Sequence, residues 1–233
     1  ANLHYHGKDH AVFQSTYDAN AASRAILSKN GKVASHLSPE GIVAIVVGAA
    51  NHDIGYVWQT EESCNYASRM PIHVEKSAEA VEVAIDEIPS PINLDREKIK
   101  FLSKIGIHGT NFPYTEEHKK QFKSFIANLK PNEKKEAQIV RLTLQLADLG
   151  GQVSRNDYRE NLKGLRQELN CCQEGLGTTI IGEDWEMDEK CKKFIANVIT
   201  PTVGKTANAF FGTENNIYSS GWNKHISRPG LEG

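Results

Sequence analysis

Along most of this chain the apolar positions recur every three or four residues, and period-two alternation is scarce. Val12, Phe13, Tyr17, Ala21, Ala25 and Ile26 keep helical spacing, which predicts a helix over about 10–28, capped by Asp9 and ended by Asn30-Gly31. Ser38-Pro39-Glu40 opens a second helix, with serine as cap and proline at its first position. That helix is expected to carry Ile42, Ile45, Val46 and Ala49 inward. Residues 57–72 show no period and read as a loop. A helix follows over 73–88, with Ala80, Val81, Ala84, Ile85 and Ile88 on one stripe. Another runs from Asp95 to about Ile107, and a third from the Thr115 cap to about Leu129, where Pro131 closes it. The clearest period spans 133–155, where Ile139, Leu142, Leu146, Leu149 and Val153 form a core stripe. Beside it stand Gln145, Asp148, Gln152 and Arg155 at the same spacing. A charged helix over 158–169, a loop over 170–182 and a helix over 185–199 ended by Pro201 complete the pattern. Residues 213–233, rich in Asn, Ser and Gly, read as a loosely packed tail. With no repeat and no linker, the expectation is an all-α fold: one helical bundle over 1–212, followed by that tail.

Composition narrows the partners. Hydrophobic residues make up 39% and charged residues 24% of 233, an ordinary globular balance. A net charge of −2 with no basic run argues against a nucleic-acid duplex or an anionic membrane as partner. The longest apolar run, 42–50, falls well short of the ~20 residues that span a bilayer. Cys64, Cys171, Cys172 and Cys191 form no CxxC pair, which points to a reducing, cytoplasmic setting. No signal peptide is evident, and the initial alanine suggests a trimmed N-terminus.

The chemistry gathers around Asn51-His52-Asp53-Ile54-Gly55-Tyr56, which follows the apolar stretch 41–50. A buried segment thus delivers an imidazole and a carboxylate side by side, and Gly55 is expected to let the chain turn away. Ionisable groups at such a place are costly to bury unless something neutralises them, and a divalent metal would do so. A solvated helix end whose His and Asp only make hydrogen bonds is the commoner meaning of an isolated His-Asp pair. The wider pattern changes that balance. His6, His10, His73, His108 and Asp148 all fall at helix ends or on the polar stripe, a donor set suited to one or two first-row ions. His4, His36, His118 and His225 have no such setting and read as exposed.

In this order the chain resembles the HD-domain metal-dependent phosphohydrolases, an all-helical family. The resemblance rests on H…HD…D as His10, His52-Asp53 and Asp148. It rests also on Tyr5-His6-x3-His10, similar to the Y-H-x-x-x-H of the members that include cyclic-nucleotide phosphodiesterases, on the "HDIG" of 52–55, and on His73-x-Glu75-x-Ser77-Ala78-Glu79. It covers about residues 5–155. It implies an enzyme that hydrolyses a small phosphate ester, a phosphodiester or nucleotide-like compound, with a metal-activated water. The alternatives are a nucleotide phosphomonoesterase and a non-catalytic nucleotide-binding module. By the same resemblance His10, His52, Asp53 and Asp148 would hold a first ion, and Asp53 would bridge to a second held by His73 and His108. His6 would protonate the leaving oxygen. The ion could be Mn, Fe, Co, Ni, Mg or Zn. The family's phosphodiesterases carry a further histidine just after the His-Asp pair, where this chain has Ile54-Gly55-Tyr56. Gln145, Gln152 and Arg155, on the side of Asp148, are candidates to hold a base or a phosphate.

Overall fold

A computed structural model describes residues 34–56, 72–88, 93–111, 115–150, 162–167, 169–170, 181–202 and 204. Among them the chain is helical without strands, as its periodicity predicts. A short 3-10 turn, Ala34–His36, precedes α1 (Pro39–Asn51), and a second, Ile54–Tyr56, follows it. Then come α2 (His73–Glu87), α3 (Arg96–Gly109), α4 (Glu116–Phe125), α5 (Pro131–Gln145) and α6 (Asp184–Phe194). Helix α5 widens into a π turn at Leu146–Gly150, and α6 does the same at Ile195–Ile199 before one further turn, Thr200–Thr202.

The caps behave as the residue types require. The Ser38 hydroxyl accepts from the Gly41 N–H, and the Asp95 carboxylate from the Lys98 N–H at 3.0 Å. At α4 the Thr115 hydroxyl accepts from the His118 N–H while the His118 ring accepts from the Thr115 N–H, a capping box. His118 is therefore a half-buried capping residue, bonded also to Asn111, and not the exposed one expected. Helix α4 stops at Phe125, and Pro131 begins α5 rather than only closing its predecessor. Helix α6 runs past Pro201. Both the hydroxyl and the N–H of Thr200 reach the Ile195 carbonyl, so the wide turn relieves the clash a proline makes with the carbonyl four residues before it.

Helices α1, α3 and α5 form the centre, with α2 on α3 and on the turn 54–56. The face α1 buries is Gly41, Ala44, Ile45, Gly48 and Ala49, while Ile42 and Val46 are exposed, contrary to expectation. Small residues decide this. A Cβ on Gly48 would come within 2.8 Å of Leu144, so the stripe lets the helix backbones approach closely. On α2 the buried residues are Val74, Ser77, Ala78, Ala80, Val81 and Ile85, and Ile88 stands exposed. One core lies between α1, α2, α3 and α5 around Ile45, Val81, Leu102, Ile105 and Leu144. A second joins Ile139, Leu146 and Ala147 to Leu162, Met187, Cys191, Ile195 and Ile199. Helix α5 serves both cores, which is why its apolar period is so clear.

Candidate functional site

Helix α1 has a buried polar cluster at each end. At its start the Ser38 N–H and hydroxyl both donate to Glu136 of α5, at 2.7 and 2.6 Å. Lys98 of α3 reaches Glu136 at 3.0 Å, the Ser38 hydroxyl at 2.8 Å and Glu40 at 3.7 Å. Gly41 leaves the room for Glu136, whose carboxylate a Cβ at that position would strike. Backbone N–H groups, its own first, hold the Glu40 carboxyl below its ordinary value, with help from Ser38 and Lys98. Sequence reasoning missed this cluster. The apolar run after Ser38 gave no sign that a carboxylate nearly a hundred residues away would complete the cap.

At the other end lie His52, Asp53 and Asp148. His52 follows the last residue of α1 and is 3% exposed. Its Nδ1 lies 2.8 Å from the Ala49 carbonyl, which can only accept, so Nδ1 carries a hydrogen. That leaves Nε2 facing the carboxylates, 3.2 Å from Asp53 and 3.5 Å from Asp148. Burial opposes the charged ring. The negative charges and hydrogen bonds of Asp53 and Asp148 outweigh burial and hold the His52 pKa well above 6.5. Asp148 reaches this point from the π turn that ends α5, a widening of the kind that often re-aims side chains at functional sites.

Gly55 works differently from the expected turn. A Cβ there would strike the carbonyl of His73, and the Gly55 N–H donates to the buried Ser77 hydroxyl at 2.9 Å. Close approach to the start of α2 is what demands glycine. The His73 ring stacks on Tyr56, with centroids 4.3 Å apart and planes 8° from parallel. His108 lies inside the last turn of α3, not after it. Its Nε2 is 3.7 Å from Glu75, and its ring tilts against Phe125. Burial holds the His108 pKa below 6.5, with Glu75 opposing, so the ring is neutral near pH 7.

Of the residues the sequence singles out, His52, Asp53 and Asp148 thus come together. His73 and His108 sit on the adjoining α2 and α3, and Gln145 lies one turn before Asp148 on α5. His6, His10, Gln152 and Arg155 lie outside the described residues. Among the described residues no group of three or more His, Cys, Asp and Glu side chains is set as a closed metal site. The donor chemistry of the triad nonetheless fits a divalent ion: one imidazole nitrogen with its tautomer fixed from behind, and two carboxylates. Arg141 is a residue that sequence reasoning passed over. It lies seven residues before Asp148 and four before Gln145, so extending the polar stripe toward the start of α5 would have found it. The chain matches no family model, no curated protein and no solved structure.

Proposed function

We propose that this chain is a metal-dependent phosphohydrolase of the HD type, acting on a small phosphate ester, with a phosphodiester or nucleotide-like compound as its substrate class. The observation that carries the reading is His52. Its Nδ1 donates to Ala49, so Nε2 is directed between two carboxylates and must share that space with a cation, either a proton or a metal ion. The packing of the two stretches that carry the resemblance adds support. Gly55 of the HDIG segment bonds to Ser77 of the segment that begins at His73.

In this reading His52, Asp53 and Asp148 hold a divalent ion with His10, and His73 and His108 are the proposed ligands of a second ion. A bound ion would bring the acidity of a coordinated water close to neutral pH and would offset charge on the phosphoryl oxygens. The chain's own residues do the rest. Ala49 fixes the tautomer of His52. Gly55 and Ser77 seat the His-Asp turn against α2. The neutral ring of His108 is in the protonation state a metal ligand needs. His6 is the proposed proton donor to the leaving oxygen, and Gln145, Gln152 and Arg155 the proposed substrate contacts.

The test is hydrolysis of bis-p-nitrophenyl phosphate with Mn2+ by the wild-type protein and Asp53→Ala, with elemental metal analysis of both. Bound metal and turnover present in the first and lost in the second are expected. Turnover unchanged in Asp53→Ala would overturn the reading.

A further inference from the structure

A ladder of contacts joins α3 to α2. Four basic residues of α3, Arg96, Lys100, Lys104 and His108, stand four apart and so share one face. Arg96 donates to the carbonyls of Asp86 and Ile88 at 2.9 and 2.6 Å. Lys100 lies 2.7 Å from Asp86, Lys104 3.0 Å from Glu82, and His108 3.7 Å from Glu75. The pairing runs backward along α2 as it runs forward along α3, so the helices are antiparallel and the end of α3 meets the start of α2.

The last rung differs from the others. Lys100 and Lys104 touch their carboxylates directly, whereas His108 Nε2 and Glu75 Oε2 stand too far apart for a hydrogen bond. Their separation is close to that of two ligands of one ion. Donors at ~2.1 Å from a divalent metal lie roughly 3.0–3.6 Å from each other at octahedral or tetrahedral angles. His52 keeps the same kind of spacing from its two carboxylates, 3.2 and 3.5 Å. Exposure divides the pair: the His108 side chain is 11% exposed and that of Glu75 55%, so the imidazole is fixed within the fold while the carboxylate opens to solvent. The rung also adjoins the His-Asp turn. Gly55 packs on the carbonyl of His73 and donates to Ser77, the residues two before and two after Glu75.

We infer that Glu75 is a ligand of the second ion, beside His108. The inference rests on the proposed function and completes its second site. There His73 and His108 would offer neutral imidazoles, and Asp53 a carboxylate shared with the first ion. A dication held so would lack a negative charge of its own, and Glu75 supplies one. As a rung of the ladder alone, Glu75 would add to stability and nothing to metal binding. Glu82, the rung that pairs with Lys104, is the comparison for that case.

The experiment is equilibrium dialysis of the wild-type chain, Glu75→Gln and Glu82→Gln against Mn2+, with elemental metal counts and electron paramagnetic resonance spectra. Two neighbouring Mn2+ ions show exchange coupling, and a lone ion does not. Thermal unfolding in EDTA checks that both variants fold. The wild type is expected to hold two coupled ions. Glu75→Gln should hold one uncoupled ion and bind the second at least about tenfold more weakly. Glu82→Gln should keep both. Two coupled ions held by Glu75→Gln at wild-type affinity, or a single ion in the wild type, would overturn this inference and leave the first ion and the proposed function standing. Equal loss of the second ion in both variants would also overturn it, by making the ladder as a whole responsible. A wild type without any ion would overturn the proposed function, and this inference with it.

Discussion

The two ends of α1 pose one electrostatic problem and solve it differently. At each end a single basic group faces two carboxylates: Lys98 faces Glu136 and Glu40, and His52 faces Asp53 and Asp148. The first cluster sits at the start of the helix. There the free N–H groups and the positive end of the helix dipole meet the excess negative charge, and Ser38 donates twice to Glu136. The second sits at the end of α1, where the dipole is negative and the exposed groups are carbonyls such as that of Ala49. The first cluster is complete within the chain. The second gathers two carboxylates at the negative end of the helix, and the proposed function places a cation there.

Removing a carboxylate should separate the two ends most sharply. Glu136→Ala strips Lys98 and Ser38 of their buried acceptor and should cost about 3 kcal/mol of stability. Asp148→Asn should change the stability of the metal-free protein by less than about 1 kcal/mol, because relief of its repulsion with Asp53 at the negative end of a helix offsets the attraction to His52 that it gives up. Urea unfolding of both variants in EDTA measures the contrast. Comparable losses would show that the two clusters are alike.

Adding a divalent ion addresses the same contrast from the other side. Mn2+ at ~100 times its dissociation constant should stabilise the wild type by about 2.7 kcal/mol and leave Asp53→Ala unmoved. Glu136→Ala, although weaker overall, should keep the increment, because the ion has no business at that end. Thermal unfolding with and without Mn2+ reads all three.

Gly55→Ala tests how the functional end is seated on α2. The new methyl must displace the His73 carbonyl and the Ser77 contact, at a cost of about 1–3 kcal/mol and with weakened Mn2+ binding. Gly48→Ala, whose methyl would meet the end of the Leu144 side chain, should cost less and leave metal binding alone. Denaturant unfolding paired with Mn2+ titration of each variant distinguishes them.

The smallest effect lies at the stabilising end. The folded pKa of Glu40 is below its ordinary 4.5, so its contribution is full above that value and is lost as pH falls through the folded pKa. Glu40→Gln should therefore flatten the acid limb of the stability curve below about pH 4.5 and leave it unchanged near neutrality. An unaltered acid limb, measured by urea unfolding between about pH 3 and 7, would remove Glu40 from the account.

What could be read from the sequence follows the range of the interactions. Ser38, Asp95 and Thr115 announce their helices because a cap acts within three residues. The double-sided burial of α5 shows as an unusually dense apolar period. The face of α1 could not be read, because the stretch 41–50 is apolar all round. Gly41 and Gly48 choose the buried face through close contact with Glu136 and Leu144. Gly55 was visible but its reason was not, since the carbonyl it must clear belongs to another helix. His52 and Asp53 stood out locally, and Asp148 through the ordered pattern of the resemblance. The lysine and glutamate that complete the Ser38 cap, and the contact of Arg141 with the Phe122 ring, depend on packing between helices.

The most direct measurement is Mn2+ binding by equilibrium dialysis to the wild type, Asp148→Asn and Glu136→Ala. The account predicts at least one tightly held ion per chain in the wild type, retention in Glu136→Ala and loss in Asp148→Asn. An ion retained by Asp148→Asn, or absent from a wild type dialysed against millimolar Mn2+ and Zn2+ in turn, would contradict it.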